Sequence, residues 1–167
     1  KVTVLQPQKG TKFQLVTMAE KNAKLYLLQK IPPNALEDVA DLQKALNLPK
    51  LPETIEAFDI SNLGESFAVA GMVQFKEGMP NKSGYRRFKI KGVDGQNDFA
   101  MMMEVVGRRL KRLQEENEPF PDLLLIDGGK GQLYAAMESL KGIENPPLIV
   151  SLAKKEEILF SPYSEEP

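Results

Sequence analysis

Two aspartates stand where a carboxylate is least comfortable. Asp59 interrupts the apolar run Ala57-Phe58-Asp59-Ile60, and Asp127 ends the run Leu123-Leu124-Leu125-Ile126. A carboxylate among apolar neighbours is costly to bury unless something satisfies it. Asp59 by itself leaves two readings open, a strand-end aspartate bonded to loop amides and a metal ligand. If the two strands are neighbours, the carboxylates meet at one edge of a sheet, and each raises the other's pKa unless a cation sits between them. A hard divalent cation, Mg or Mn, shared by carboxylates, water and phosphate oxygens fits that arrangement. Such a centre activates water and stabilises a leaving oxygen in phosphodiester cleavage.

Three further features bear on a phosphate-bearing ligand. In Asp127-Gly128-Gly129-Lys130-Gly131-Gln132, glycines at a strand-to-helix junction let backbone amides approach an anion, and Lys130 adds charge at a helix N-terminus. A tight turn that needs glycine explains the same residues, and the GxxxxGK[ST] spacing of a nucleotide-binding loop is absent. Lys82-Ser83-Gly84-Tyr85-Arg86-Arg87-Phe88 interleaves basic and aromatic residues. Lys82, Arg86 and Arg87 suit phosphates and Tyr85 suits stacking, although an ordinary half-buried strand would look similar. Arg108 also belongs to the basic set, with an i,i+4 ion pair to Glu104 as its competing explanation.

The 167 residues carry 22 basic and 23 acidic side chains, a net charge of -1 that conceals a local excess. Nine basic residues against three acidic ones lie between Lys82 and Arg112, and the ratio inverts after Leu113. A local basic surface is what phosphate binding uses, and a solvated charged face is the plainer alternative. The chain contains no Cys and no His, which excludes disulfides, thiolate or imidazole ligands and a histidine base. No apolar run approaches the roughly 20 residues that cross a bilayer, and the first residues lack the features of a secretory signal. The expectation is a soluble, cytoplasmic protein with no membrane partner.

The elements that must position these groups follow from periodicity. Residues 11–30 carry a rough helical stripe at Phe13, Val16, Ala19, Ala23 and Leu27, stopped by Ile31-Pro32-Pro33, and a second helix over 35–46 shows Leu36, Val39, Leu42 and Leu46. Residues 1–52 are read as an arm packing on the main domain, 53–167. There, strands are expected over 54–60, 67–76 and 85–91, joined by short loops as an antiparallel meander. A helix capped by Asn97 follows, with Phe99, Met103, Val106, Leu110 and Leu113 on one face. The cluster of methionines at 101–103 reads as core packing. The run 122–126 suits a central parallel strand, and a helix over 131–140 stopped at Gly142, a strand over 148–152 and a last one over 157–160 complete the order. Three antiparallel strands followed by helix-linked parallel strands give an α/β fold with a mixed sheet flanked by helices, the order of the ribonuclease H-like fold.

Taken together, FDIS (58–61), KSGYRRF (82–88), DF (98–99), EVVGRRL (104–110) and PDLLLIDGGKGQL (121–133) closely resemble the C-terminal half of the UvrC family. The resemblance covers about 53–160. It implies a ribonuclease H-like endonuclease that makes the 5' incision beside a DNA lesion in nucleotide excision repair, using two aspartates and a histidine with Mg or Mn. It places the aspartates on Asp59 and Asp127, and implies damaged double-stranded DNA and UvrA-like and UvrB-like subunits as partners. Two departures stand out. Asn62 follows FDIS where the family usually has histidine, and the catalytic histidine expected downstream of the last strand is not in this chain, so the domain is expected to be incomplete at its C-terminus. The alternatives are an endonuclease V-like nuclease and a non-catalytic DNA- or partner-binding module of the same fold.

Overall fold

A computed structural model describes residues 9–30, 34–63, 67–93, 97–154 and 158–163. Two compact units divide at Ala35 and Leu36. The first contains α1 (Gly10–Lys30), whose side chains from Thr11 to Glu20 are all exposed, Phe13, Leu15 and Met18 included. Phe13, Val16 and Ala19 of its stripe are therefore exposed, and the stop expected at 31–33 lies outside the described residues.

The second unit holds all the rest of the described structure, with α2 (Ala35–Ala45) feeding into it. Its strands are β1 (Thr54–Leu63), β2 (Phe67–Lys76), β3 (Met79–Pro80), β4 (Arg86–Lys89), β5 (Leu123–Asp127), β6 (Leu148–Ala153) and β7 (Ile158–Phe160). Helix α3 (Asp98–Glu115) precedes β5, and α4 (Lys130–Glu138) links β5 to β6. The sheet runs β3-β2-β1-β5-β6-β7, with β4 also on β2. β1–β2, β2–β4 and β6–β7 are antiparallel, whereas β1–β5 and β5–β6 are parallel. The expected α/β, ribonuclease H-like mixed sheet is thus present, with the two-residue β3 as an addition that periodicity is too short to reveal.

Strand alternation sends two sets of side chains to opposite faces. Phe58, Met72, Leu124, Ile126 and Ile149 form one core with Met102, Val105, Val106 and Leu110 of α3 and Leu133 and Ala136 of α4. On the other face, Leu123 and Val150 meet Leu46 and Leu48, with Leu42 of α2, Ile55 and Leu125 packed against them. The helix over 35–46 is therefore part of the sheet's own unit from Leu36 onward. Most of the expected stripes are buried, Val106, Leu110 and Leu113 of α3 and Val39 of α2 with Leu46 just past it, and both miss only at their N-terminal ends. Phe99 and Met103 of α3 are half exposed while Met101, Met102 and Val105 are buried, and Leu36 of α2 is exposed while Val39 is buried. Of the three methionines only the first two belong to the core. The Asn97 cap is present, its Oδ1 accepting from the Ala100 amide at 3.1 Å.

Candidate active site

The last register pair between β1 and β5 is Phe58–Ile126, so the next residue of each strand, Asp59 and Asp127, lies side by side at the same sheet edge. Phe58 and Ile126 face α3 and α4, and alternation turns both aspartates to the opposite face. Ser61 Oγ donates to Asp59 Oδ2 at 2.8 Å. The ammonium of Lys154, just past β6, pairs with Asp127 Oδ2 and lies 3.9 Å from Asp59 Oδ1. The Asp127 side chain is 22% exposed and that of Asp59 50%. Burial, and then the neighbouring Asp59, push the Asp127 carboxyl up, while hydrogen bonds with Asp127 and Ser61 hold Asp59 below the ordinary range. The bond to Asp127 raises the Lys154 ammonium in turn.

Two carboxylates held together with a cation lodged between them form a donor set that suits a hard divalent ion, and the ammonium marks where positive charge is stabilised. Among the described residues no group of three or more acidic side chains gathers around a common point. Asn62 lies on β1 opposite Ala68. Sequence reasoning missed Lys154: a lysine after a strand carries no periodic signal, and its role depends on β5 and β6 being neighbours. The Leu152–Asp127 register pair is what brings it there.

The glycine loop is divided in its roles. A Cβ on Gly128 would meet the Gln132 side chain at 2.8 Å, and one on Gly131 would meet the Phe99 ring at 2.5 Å, so both are packed against protein. A Cβ on Gly129 would meet nothing within 4 Å, and its amide donates to Gln132 Oε1 at 3.1 Å. Lys130 opens α4 and is exposed, its Nζ 5.2 Å from the Phe160 ring centre.

The basic candidates are scattered around β4 and α3. Lys82 lies in a short 3-10 turn (Lys82–Gly84), and Tyr85, Arg86 and Arg87 are exposed at the sheet edge. Arg86 Nη1 donates to the carbonyls of Ser83 and Tyr85, both at 2.8 Å. Arg108 makes the anticipated bond to Glu104 at 2.9 Å, donates to the Lys89 carbonyl at 2.8 Å and lies 5.9 Å over the Phe88 ring. The structure thus joins Asp59 to Asp127, and sets Arg108 on a different face from them.

Residues 43–167 match the family described as the UvrC RNase H endonuclease domain. UvrABC system protein C of Methanosarcina acetivorans is 44% identical over 167 residues, covering all of this chain and 31% of its own length. The protein of the same name from Koribacter versatilis is 46% identical, covering 96% of this chain and 27% of its own. The chain therefore spans about a third of the length of such relatives. Among solved structures, Ciona intestinalis endonuclease V in complex with an inosine-containing DNA aligns over 81% of this chain and 56% of its own, at 18% identity and a TM-score of 0.44. With the match running from α2 through the aspartate pair to the last strand, the chain belongs to the UvrC RNase H endonuclease domain family.

Proposed function

We propose that the chain is the metal-dependent endonuclease domain that makes the 5'-side incision in nucleotide excision repair, hydrolysing a phosphodiester of damaged double-stranded DNA. The observation that carries this reading is the Asp59–Asp127 pair at the end of two adjacent parallel strands with a cation between its carboxylates. Asp59 and Asp127 would hold Mg or Mn, which supplies a Lewis acid and a water of lowered pKa. Ser61 fixes the rotamer of Asp59 through its hydrogen bond. Lys154 neutralises the pair when no metal is bound and then stands within reach of a phosphate oxygen or leaving group. Lys130, exposed at the start of α4, adds positive charge near the end of β5 that carries Asp127. UvrA-like and UvrB-like subunits are the partners this reading requires, since the relatives are named as components of such a system.

Nicking of supercoiled plasmid in Mn or Mg, by this chain and by a form extended to the length of its relatives, tests the proposal. Asp59→Asn and Asp127→Asn are each expected to abolish cutting by the active form. Cutting that survives both substitutions, or an extended form that never cuts with its repair partners present, would favour the non-catalytic DNA-binding module.

A further inference from the structure

The sheet register places one arginine in line with the aspartate pair. Asp59 pairs with Gly71 across β1 and β2, and Gly71 pairs with Arg87 across β2 and β4. On the other side Asp127 pairs with Leu152. Directly opposed residues project to the same face, so Leu152, Asp127, Asp59, Gly71 and Arg87 form one row across five strands. Gly71 is the only member of that row without a side chain, and a Cβ built there would meet nothing within 4 Å. The floor between Asp59 and Arg87 is therefore bare backbone, about two strand spacings or ~10 Å wide.

The charges around β4 sort by face. Arg86 is opposed to Met72, a core residue, so it belongs to the α3 side, and its guanidinium is held by the carbonyls of Ser83 and Tyr85. Arg108, Arg109, Lys111 and Arg112 are paired with Glu104, Glu56, Glu115 and Glu116. The Arg87 guanidinium is exposed and makes no side-chain hydrogen bond or ion pair among the described residues. Lys89, two residues on, lies on the same face, opposed to Val69, which is in turn opposed to Ser61.

We infer that the DNA strand being cut crosses the sheet on this face, over Gly71, with one phosphate at the Asp59–Asp127 pair and a neighbouring phosphate held by Arg87. This rests on the nuclease reading and adds the direction of the strand and the residue that fixes its register. Gly71 is a clearance residue in this arrangement: any side chain there stands in the strand's path. Arg86, on the other face and already satisfied, is not a contact.

Binding of a duplex oligonucleotide by the chain, followed by fluorescence anisotropy across a salt series, tests the inference without requiring cleavage. Arg87→Ala is expected to weaken binding about five- to tenfold at low salt and to reduce the salt slope by about one. Gly71→Val, in an extended strand with open space, is expected to melt no lower than the wild type yet to bind as poorly as Arg87→Ala. Duplexes carrying a single neutral methylphosphonate then locate the contact: one position is expected to weaken the wild type and to leave Arg87→Ala with no further loss. Arg87→Ala binding like Lys141→Ala, a remote charge-matched control, would overturn the inference. So would a loss in Arg86→Ala as large as in Arg87→Ala, or full binding by Gly71→Val. Asp59→Asn nicking reports on the metal site alone, so a failure of the nuclease reading is separable from a failure of the strand path.

Discussion

Arg109 grips Glu56 through two hydrogen bonds, Nε to Oε2 at 3.0 Å and Nη2 to Oε1 at 2.6 Å, around a glutamate that is 1% exposed. Gln74 Nε2 donates to the same Oε1 at 2.8 Å, and its own Oε1 accepts from Asn81 Nδ2 at 2.7 Å. The network ties α3 to the central strand and extends to the turn before β4. Arg109→Ala leaves a buried carboxylate without its counter-ion and is expected to cost about 3–5 kcal/mol in urea unfolding. Glu56→Met combined with Arg109→Met removes both charges and is expected to recover most of that loss. A double variant as unstable as Arg109→Ala would mean that the pair contributes through its shape and not through its charge.

Gly131 meets the ring of Phe99, and the sign of its substitution depends on that contact. Gly131 is the second residue of α4, where the gain from Gly→Ala is smaller than the ~1 kcal/mol of a helix interior. Here a Cβ would stand 2.5 Å from Phe99 Cε1, and pushing that half-exposed ring off its rotamer costs about 0.5–1.5 kcal/mol. Gly131→Ala is expected to lower the melting temperature in the wild type and to raise it in a Phe99→Ala background. The same sign in both backgrounds would show that the ring yields freely.

What was legible in the sequence was local. Strand β5 could be read because a strand buried on both faces is a continuous apolar run, and Asn97 because a cap is a local bond. Asp59 and Asp127 could be picked out as unusual, but their meeting needed β1 beside β5, which entered as part of a fold resemblance. Glu56 was hidden inside a strand read as apolar, because the arginine that makes its burial tolerable lies 53 residues away. Phe99 and Met103 were assigned to the buried face of α3 because they are large and apolar, yet the phase of that helix is set by where the sheet and α4 lie. The glycine loop looked like an anion cradle, and two of its three glycines are explained by Gln132 and Phe99.

Asp122, just before β5 at the end away from the aspartate pair, forms an ion pair of 2.5 Å with Lys50, and the Thr54 amide donates to Asp122 Oδ2 at 2.9 Å. Burial pushes the Asp122 carboxyl up, but the bond and charge of Lys50 and the amides of Thr54 and Glu53 outweigh it and hold it below the usual range. A folded pKa below the unfolded one means that the stabilisation is complete above the unfolded value and lost as pH falls through the folded one. Lys50 is 69% exposed, so solvent screens its share and the stabilisation stays small. Asp122→Asn is expected to cost about 1 kcal/mol near neutral pH, with the difference vanishing in the acid limb. Melting temperatures of both proteins across that range check it. A gap that persists at the lowest pH would assign the loss to packing.

Lys154 sits between Asp59 and Asp127, so on the proposed reading it competes with the divalent ion for that space. A metal entering the pair must displace the ammonium, so removing that ammonium is expected to tighten Mn binding by about three- to tenfold, roughly 1 kcal/mol. Titration calorimetry of Lys154→Met against the wild type reads this directly. Asp59→Asn and Asp127→Asn are expected to abolish the same binding, because each removes half of the charge that holds the ion. Nicking is expected to move the opposite way in Lys154→Met, falling although the metal is held more tightly, since the side chain freed by the metal is then missing from the phosphate. If Lys154→Met leaves Mn affinity unchanged, the ion and the ammonium occupy separate places, and the lysine acts only through its ion pair with Asp127.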